Sequence, residues 1–177
     1  MLIKVIFLTL GFQKESKWLF DANLFIYKND NYLIDSTRIL DNLVPGVLWS
    51  EPRNAGFIAA NITARLGYKP SKYFQFETGI DNHFVGDGRH SVFLGSENTP
   101  HPFGQISTSF WKIDYAVVYH LLNDIRWPST DKTYRKYMTS HQLNIKLHRT
   151  LNIYIYEAVI WKAEDSITNR GYDLSYL

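Results

Sequence analysis

Between residues 57 and 68 the chain alternates without a break. Ile58, Ala60, Ile62, Ala64, Leu66 and Tyr68 take one set of positions; Ala59, Asn61, Thr63, Arg65 and Gly67 take the other. A helix would scatter these sets around its axis, whereas a strand puts them on opposite faces. Lys69-Pro70-Ser71 predicts a tight turn. A second strand over 73–82 sets Phe74, Phe76, Thr78 and Ile80 against Gln75, Glu77, Gly79 and Asp81. Further strands are predicted over 103–110, 112–123, 136–148, 151–161 and 172–177. Sharp turns fall near Trp111 and at Arg149-Thr150, and long loops at 83–102, 124–135 and 162–171. The strand over 112–123 sets Ile113, Tyr115, Val117, Tyr119 and Leu121 apart from Lys112, Asp114 and His120.

Short and long connections therefore alternate. The pattern predicts an all-β, antiparallel fold of about eight or nine strands. Strands of about ten alternating residues, with short turns at one end and long loops at the other, are typical of a transmembrane β-barrel with short periplasmic turns. Soluble β-sandwiches and small barrels also mix loop lengths. Pattern alone fits both. The amino-terminal third is less regular. Residues 19–28 predict a strand, and 29–51 a long loop in which Val44-Pro45-Gly46 interrupts any ladder. Residues 1–12 read either as a first strand or as a signal-like segment with a poor cleavage pattern.

Composition narrows the classes. Aromatic residues make up 16% of the chain, and Tyr and Trp suit surfaces that are apolar at one end and wet at the other. With no cysteine, disulfide scaffolds and thiolate metal sites are excluded. A net charge of +2 gives no field that would recruit nucleic acid. No apolar run is long enough for a spanning helix.

The stretch from Phe74 to Leu94 contains Gly86-Asp87-Gly88-Arg89-His90-Ser91, a Gly-x-Gly-x-Arg loop after a strand. Lys136-Tyr137 with His141, then Tyr156-Glu157-Ala158-Val159, then Arg170-Gly171-Tyr172-Asp173-Leu174-Ser175-Tyr176 follow in order. With Val44-Pro45-Gly46, this set resembles the Wzi-like capsule assembly family, including its gliding-motility outer-membrane relatives, over residues 40–177. His90 departs from the family pattern, standing as an extra residue or where an aromatic is usual. The resemblance implies an antiparallel barrel in the outer membrane of a Gram-negative bacterium, attaching or assembling capsular polysaccharide without bond chemistry. Its partners would be surface polysaccharide, outer-membrane lipid and proteins of a surface apparatus. It also implies more strands than eight or nine, so residues 1–177 are expected to form part of a larger wall. A structural or adhesive component of a gliding apparatus, and a soluble carbohydrate-binding module, are the alternatives.

Asp87, Arg89, His90, Trp127 and Tyr134 are the candidate glycan contacts, through hydrogen bonds and ring stacking. For Trp49, Trp127, Tyr134 and Trp161 the competing role is an aromatic girdle at the membrane interface. Gly86, Gly88 and Ser91 are expected to shape the loop, with Arg89 paired to Asp81, Glu77 or Asp114. Asp81, His83, Asp87, His90 and His101 match no standard zinc or calcium spacing, so no metal and no cofactor are expected. No nucleophile elbow is present, and no enzymatic activity is expected. Pairing Leu147 with Leu151 across the Arg149-Thr150 turn would place Ile145 opposite Ile153, Leu143 opposite Ile155 and His141 opposite Glu157. These two would form a cross-strand hydrogen bond near the outer rim.

Overall fold

The computed structural model describes residues 3–14, 17–29, 47–53, 56–85, 94–95, 98–124 and 134–162. Among the described residues nine strands are present: β1 (Ile3–Lys14), β2 (Trp18–Asn29), β3 (Trp49–Arg53), β4 (Gly56–Tyr68), β5 (Phe74–Asp81), β6 (His101–Phe110), β7 (Ile113–Asp124), β8 (Tyr134–His148) and β9 (Leu151–Lys162). The strand order is β1-β2-β4-β5-β6-β7-β8-β9. β3 stands off this path and pairs with the first five residues of β4, from Arg53↔Gly56 to Trp49↔Ala60. The order is open, with β1 and β9 as its ends, and no helix occurs among the described residues. The strand expected at 172–177 lies outside the described residues.

Prolines sit where a ladder tolerates them. Pro52 is in the short β3, and Pro102 is the second residue of β6. The turns follow equally local chemistry. Ser71 Oγ accepts hydrogen bonds from the backbone N–H of Tyr73 (3.2 Å) and Phe74 (3.3 Å), closing the β4–β5 turn. Trp111 adopts a left-handed φ of 54° in the two-residue β6–β7 turn. That conformation costs a non-glycine residue about 1 kcal/mol, and tight hairpins require it.

The chain divides into two compact units. The first comprises Met1–Phe12, Phe20–Arg65 and Gly79–His101. In it Phe57 and Ala59 are buried, with Tyr27 and Val47 packed against them. The Tyr27 and Phe57 rings meet edge-on at 5.5 Å. Asn23 Nδ2 donates to Thr63 Oγ1 (3.3 Å), and Arg65 is ion-paired to Asp81. On β1 the apolar alternate positions Ile6, Leu8, Leu10 and Phe12 are all exposed.

The second unit comprises Gln13–Leu19, Leu66–Thr78 and Pro102–Leu177. Its registers separate two faces. Ile113↔Ile145↔Ile153 and Tyr115↔Leu143↔Ile155 lie on one, with Ile106 and Phe110 of β6. Asp114↔Asn144↔Tyr154 and Ala116↔Gln142↔Tyr156 lie on the other, with Ser107 and Ser109. Water-facing sheets normally bury the apolar face. Here Phe76 is 41% exposed, Ile106 41%, Phe110 62% and Ile155 53%. On the opposite face Gln75, Glu77, Gln105, Gln142 and Asn144 are half-buried, and His120 and Ser140 are buried.

Gly79 allows the closest backbone approach. A β-carbon there would overlap the carbonyl oxygen of Ala64 on β4. Gly104 on β6 has nothing within 4 Å of the same position. Gly79→Ala should therefore destabilise the protein by about 1–3 kcal/mol, the usual range for overpacking, while Gly104→Ala stays close to wild type. Urea midpoints in detergent check this; equal midpoints for the two variants would contradict the close approach.

Candidate functional site

The polar face of β6–β9 carries a group of hydrogen-bonding side chains. Ser107 and Ser109 come from β6, Asp114 from β7, Gln142 and Asn144 from β8, and Tyr154 from β9. Strand alternation puts them together: each is an alternate position in its strand, and the registers set Ser109 opposite Asp114, Asp114 opposite Asn144, and Asn144 opposite Tyr154. They line a hollow of about 110 Å³. Tyr154 donates from its hydroxyl to Gln142 Oε1 (3.1 Å). Ser107 Oγ donates to the Gln75 carbonyl (3.4 Å). Asp114 is ion-paired to Lys146 at 2.6 Å, which neutralises the only carboxylate lining the hollow. Amides and hydroxyls both donate and accept, and the tyrosine adds an aromatic face. Such a surface suits a neutral polyhydroxylated ligand better than an ion.

The loop expected to carry the glycan contacts begins and ends in an antiparallel bridge. Val85 pairs with Leu94, and Val85 N donates to Leu94 O at 3.1 Å. Gly86, Asp87, Gly88, Arg89, His90 and Ser91 lie outside the described residues, as does Trp127. Tyr134 is the first residue of β8, opposite Asp124 in register. The three carboxylates expected to receive Arg89 have other partners. Asp81 takes Arg65, Asp114 takes Lys146, and Glu77 accepts from Gln75 Nε2 at 2.5 Å. His83 and His101 of the first unit have ring centroids 6.0 Å apart, and His101 Nδ1 is 3.0 Å from the Thr99 carbonyl. His120, in the second unit, contacts Ser140 Oγ through Nε2 at 3.4 Å. Trp161 is buried and stacks on Tyr137 at 5.8 Å, while Trp49 is 47% exposed at the start of β3.

His141 and Glu157 are register partners, as the sequence predicts. The hydrogen bond is not between them. His141 Nδ1 is bonded to the Tyr115 hydroxyl at 2.8 Å, with the rings stacked at 6.2 Å. Tyr115 reaches diagonally from β7, where Val117 is the residue directly opposite His141. Glu157 is exposed and has no hydrogen bond or ion pair among the described residues. The turn also differs from expectation. His148, not Leu147, pairs with Leu151, and a bulge between Lys146 and His148 absorbs the extra residue.

Sequence reasoning did not single out Gln142, Asn144 and Tyr154 as a group. The signal was present in the alternation of Ser140, Gln142 and Asn144 along β8, but the strands that complete the hollow are known only through register.

A scan against protein-family models finds no match, and searches of curated proteins and of solved structures find none.

The chain has no native cysteine, so the β8–β9 register is open to direct test. His141→Cys with Glu157→Cys should close to an intramolecular disulfide on mild oxidation, since directly opposed residues lie about 4.5–5.5 Å apart at Cα. His141→Cys with Ala158→Cys, on opposite faces, should keep two free thiols. Thiol titration of both pairs decides; cross-linking of the second pair alone would mean the strands slip by one.

Proposed function

We propose that this chain forms part of the wall of an outer-membrane β-barrel that attaches or organises surface polysaccharide without catalysing a reaction. One observation carries the barrel part: Phe76, Ile106, Phe110, Ile113, Ile153 and Ile155 are exposed, while Gln75, Gln105, Gln142 and Asn144 on the opposite face are half-buried. Hydrocarbon is the solvent in which that arrangement is stable, because lipid solvates the apolar face and the polar face lines the interior. Seven of the nine strands have 10–15 residues or come close to the span of a membrane strand, β5 with 8 and β3 with 5 being shorter.

The turn ends add support. Lys17, Lys69, Lys72, Lys112 and Arg149 lie in or beside the short connections of the second unit. Lys72 Nζ lies 4.9 Å from the Tyr73 ring centroid, and Lys112 Nζ lies 5.2 Å from that of Trp111. Aromatic rings with adjacent ammonium groups suit the level of lipid headgroups. The polysaccharide part rests on the ordered motifs resembling the Wzi-like family.

Expressed with an export signal, the protein should partition with the outer membrane and migrate faster on gels when unheated than when boiled. Recovery wholly in the aqueous fraction would refute the barrel. Binding to surface glycan, weakened at least severalfold by Arg89→Ala or Trp127→Ala, supports the attachment role. A membrane-inserted protein that binds no surface glycan would point instead to a structural or adhesive role among protein partners.

A further inference from the structure

The apolar face of β7, β8 and β9 in the second unit carries a polar island. His141 is half-buried on β8, Glu157 is exposed as its register partner on β9, and Tyr115 reaches the imidazole from β7. Toward the short turns the same face continues as Leu143↔Ile155 and Ile145↔Ile153, with Ile153 and Ile155 exposed. With the Tyr115 hydroxyl donating to Nδ1, the imidazole hydrogen is on Nε2, and that atom has no hydrogen bond among the described residues. Glu157 is the matching acceptor, and it has no hydrogen bond or ion pair among them either. A donor and an acceptor thus stand side by side on neighbouring strands without bonding to each other. The corresponding positions of β5 and β6 in this unit are Phe74, Phe76, Thr78, Ile106, Thr108 and Phe110, with no ionisable group.

We propose that this face docks a second copy of the chain, through a two-fold contact centred between β8 and β9. Charge complementarity selects that occupant. His141 and Glu157, a base and an acid, lie at equal distances on either side of a line drawn between their strands. A two-fold axis along that line exchanges their positions, so each Glu157 faces the other copy's His141 and one operation makes two identical carboxyl–imidazole hydrogen bonds. The same operation lays Ile153 and Ile155 against the second copy's Ile145 and Leu143, so the apolar flank is self-complementary as well. Acyl chains offer Glu157 no hydrogen bond, whereas a second copy does. The exposed face alone is enough for the pairing; its orientation rests on the barrel reading above. With the axis along the bilayer normal, both copies insert the same way round. A strand tilt of about 40° then offsets each Glu157 from its partner by roughly 3 Å, within reach of a glutamate side chain.

The test uses the full chain, in vesicles where it inserts and in buffer where it does not. Stacked sheet faces lie about 10 Å apart, too far for a disulfide and within the span of a short bismaleimide. Ile155→Cys, the sole cysteine of its variant, should therefore cross-link to a second copy with that reagent, and Phe76→Cys on β5 should not. Energy transfer between differently labelled copies reads the dimer dissociation constant. Glu157→Leu and His141→Leu should each raise it by about tenfold, because each removes both symmetry-related bonds. Mixing the two variants returns one bond, from the Glu157 of one copy to the His141 of the other, and should recover about threefold, half of the loss on a free-energy scale. A weakened dimer that mixing does not restore would mean that the substitutions act through the fold, and would overturn the pairing. Equal cross-linking at Ile155→Cys and Phe76→Cys would overturn it too. An inserted chain that is monomeric at every protein-to-lipid ratio would sink the docking and leave the barrel standing. A dimer in the aqueous fraction, joined through Ile155→Cys and restored on mixing, would support the docking and refute the barrel.

Discussion

Register is the constraint on which this structure depends. Side chains in a strand alternate with period two, so a slip of one residue would move Ile153 and Ile155 to the face now held by Tyr154 and Tyr156. Ile153 and Ile155 share a face with Ile145 and Leu143 only because β8 and β9 pair as they do. The same pairing gathers Asn144 and Tyr154 beside Asp114. One set of backbone hydrogen bonds thus creates both the apolar wall and the polar hollow behind it. Neither face could change register alone.

Much of this was legible in the sequence because alternation is a local signal. The described strands of the carboxyl-terminal two thirds fall within two residues of their predicted limits, β4 (Gly56–Tyr68) starting one residue earlier and β9 (Leu151–Lys162) ending one later. The register across Arg149-Thr150 was also legible, down to His141 opposite Glu157, since a two-residue turn leaves few alternatives. What escaped was of two kinds. The bulge at Lys146 and His148 depends on how the turn closes, which alternation does not report. The hydrogen bond between Tyr115 and His141 and the overlap that requires Gly79 both depend on a neighbouring strand. In the amino-terminal third, β3 occupies five residues inside what reads as loop, and its proline hides it.

The polar residues on the apolar face are few. Tyr115 near the start of β7, Thr139 and His141 on β8 and Glu157 on β9 interrupt it. Tyr115 and His141 satisfy one another, which lowers the cost of placing them in an apolar setting. Glu157 has no such partner among the described residues and stands exposed.

The basic turns have a kinetic consequence. Lys17, Lys69, Lys72, Lys112 and Arg149 all belong to the short connections. Carrying an ammonium or guanidinium group through the centre of a bilayer costs about 2.5–3.5 kcal/mol on insertion scales. Five such groups at one end form a steep barrier to that end crossing, while the other end meets no barrier from them. In the barrel wall proposed above, that barrier would keep the five turn residues on one side of the bilayer.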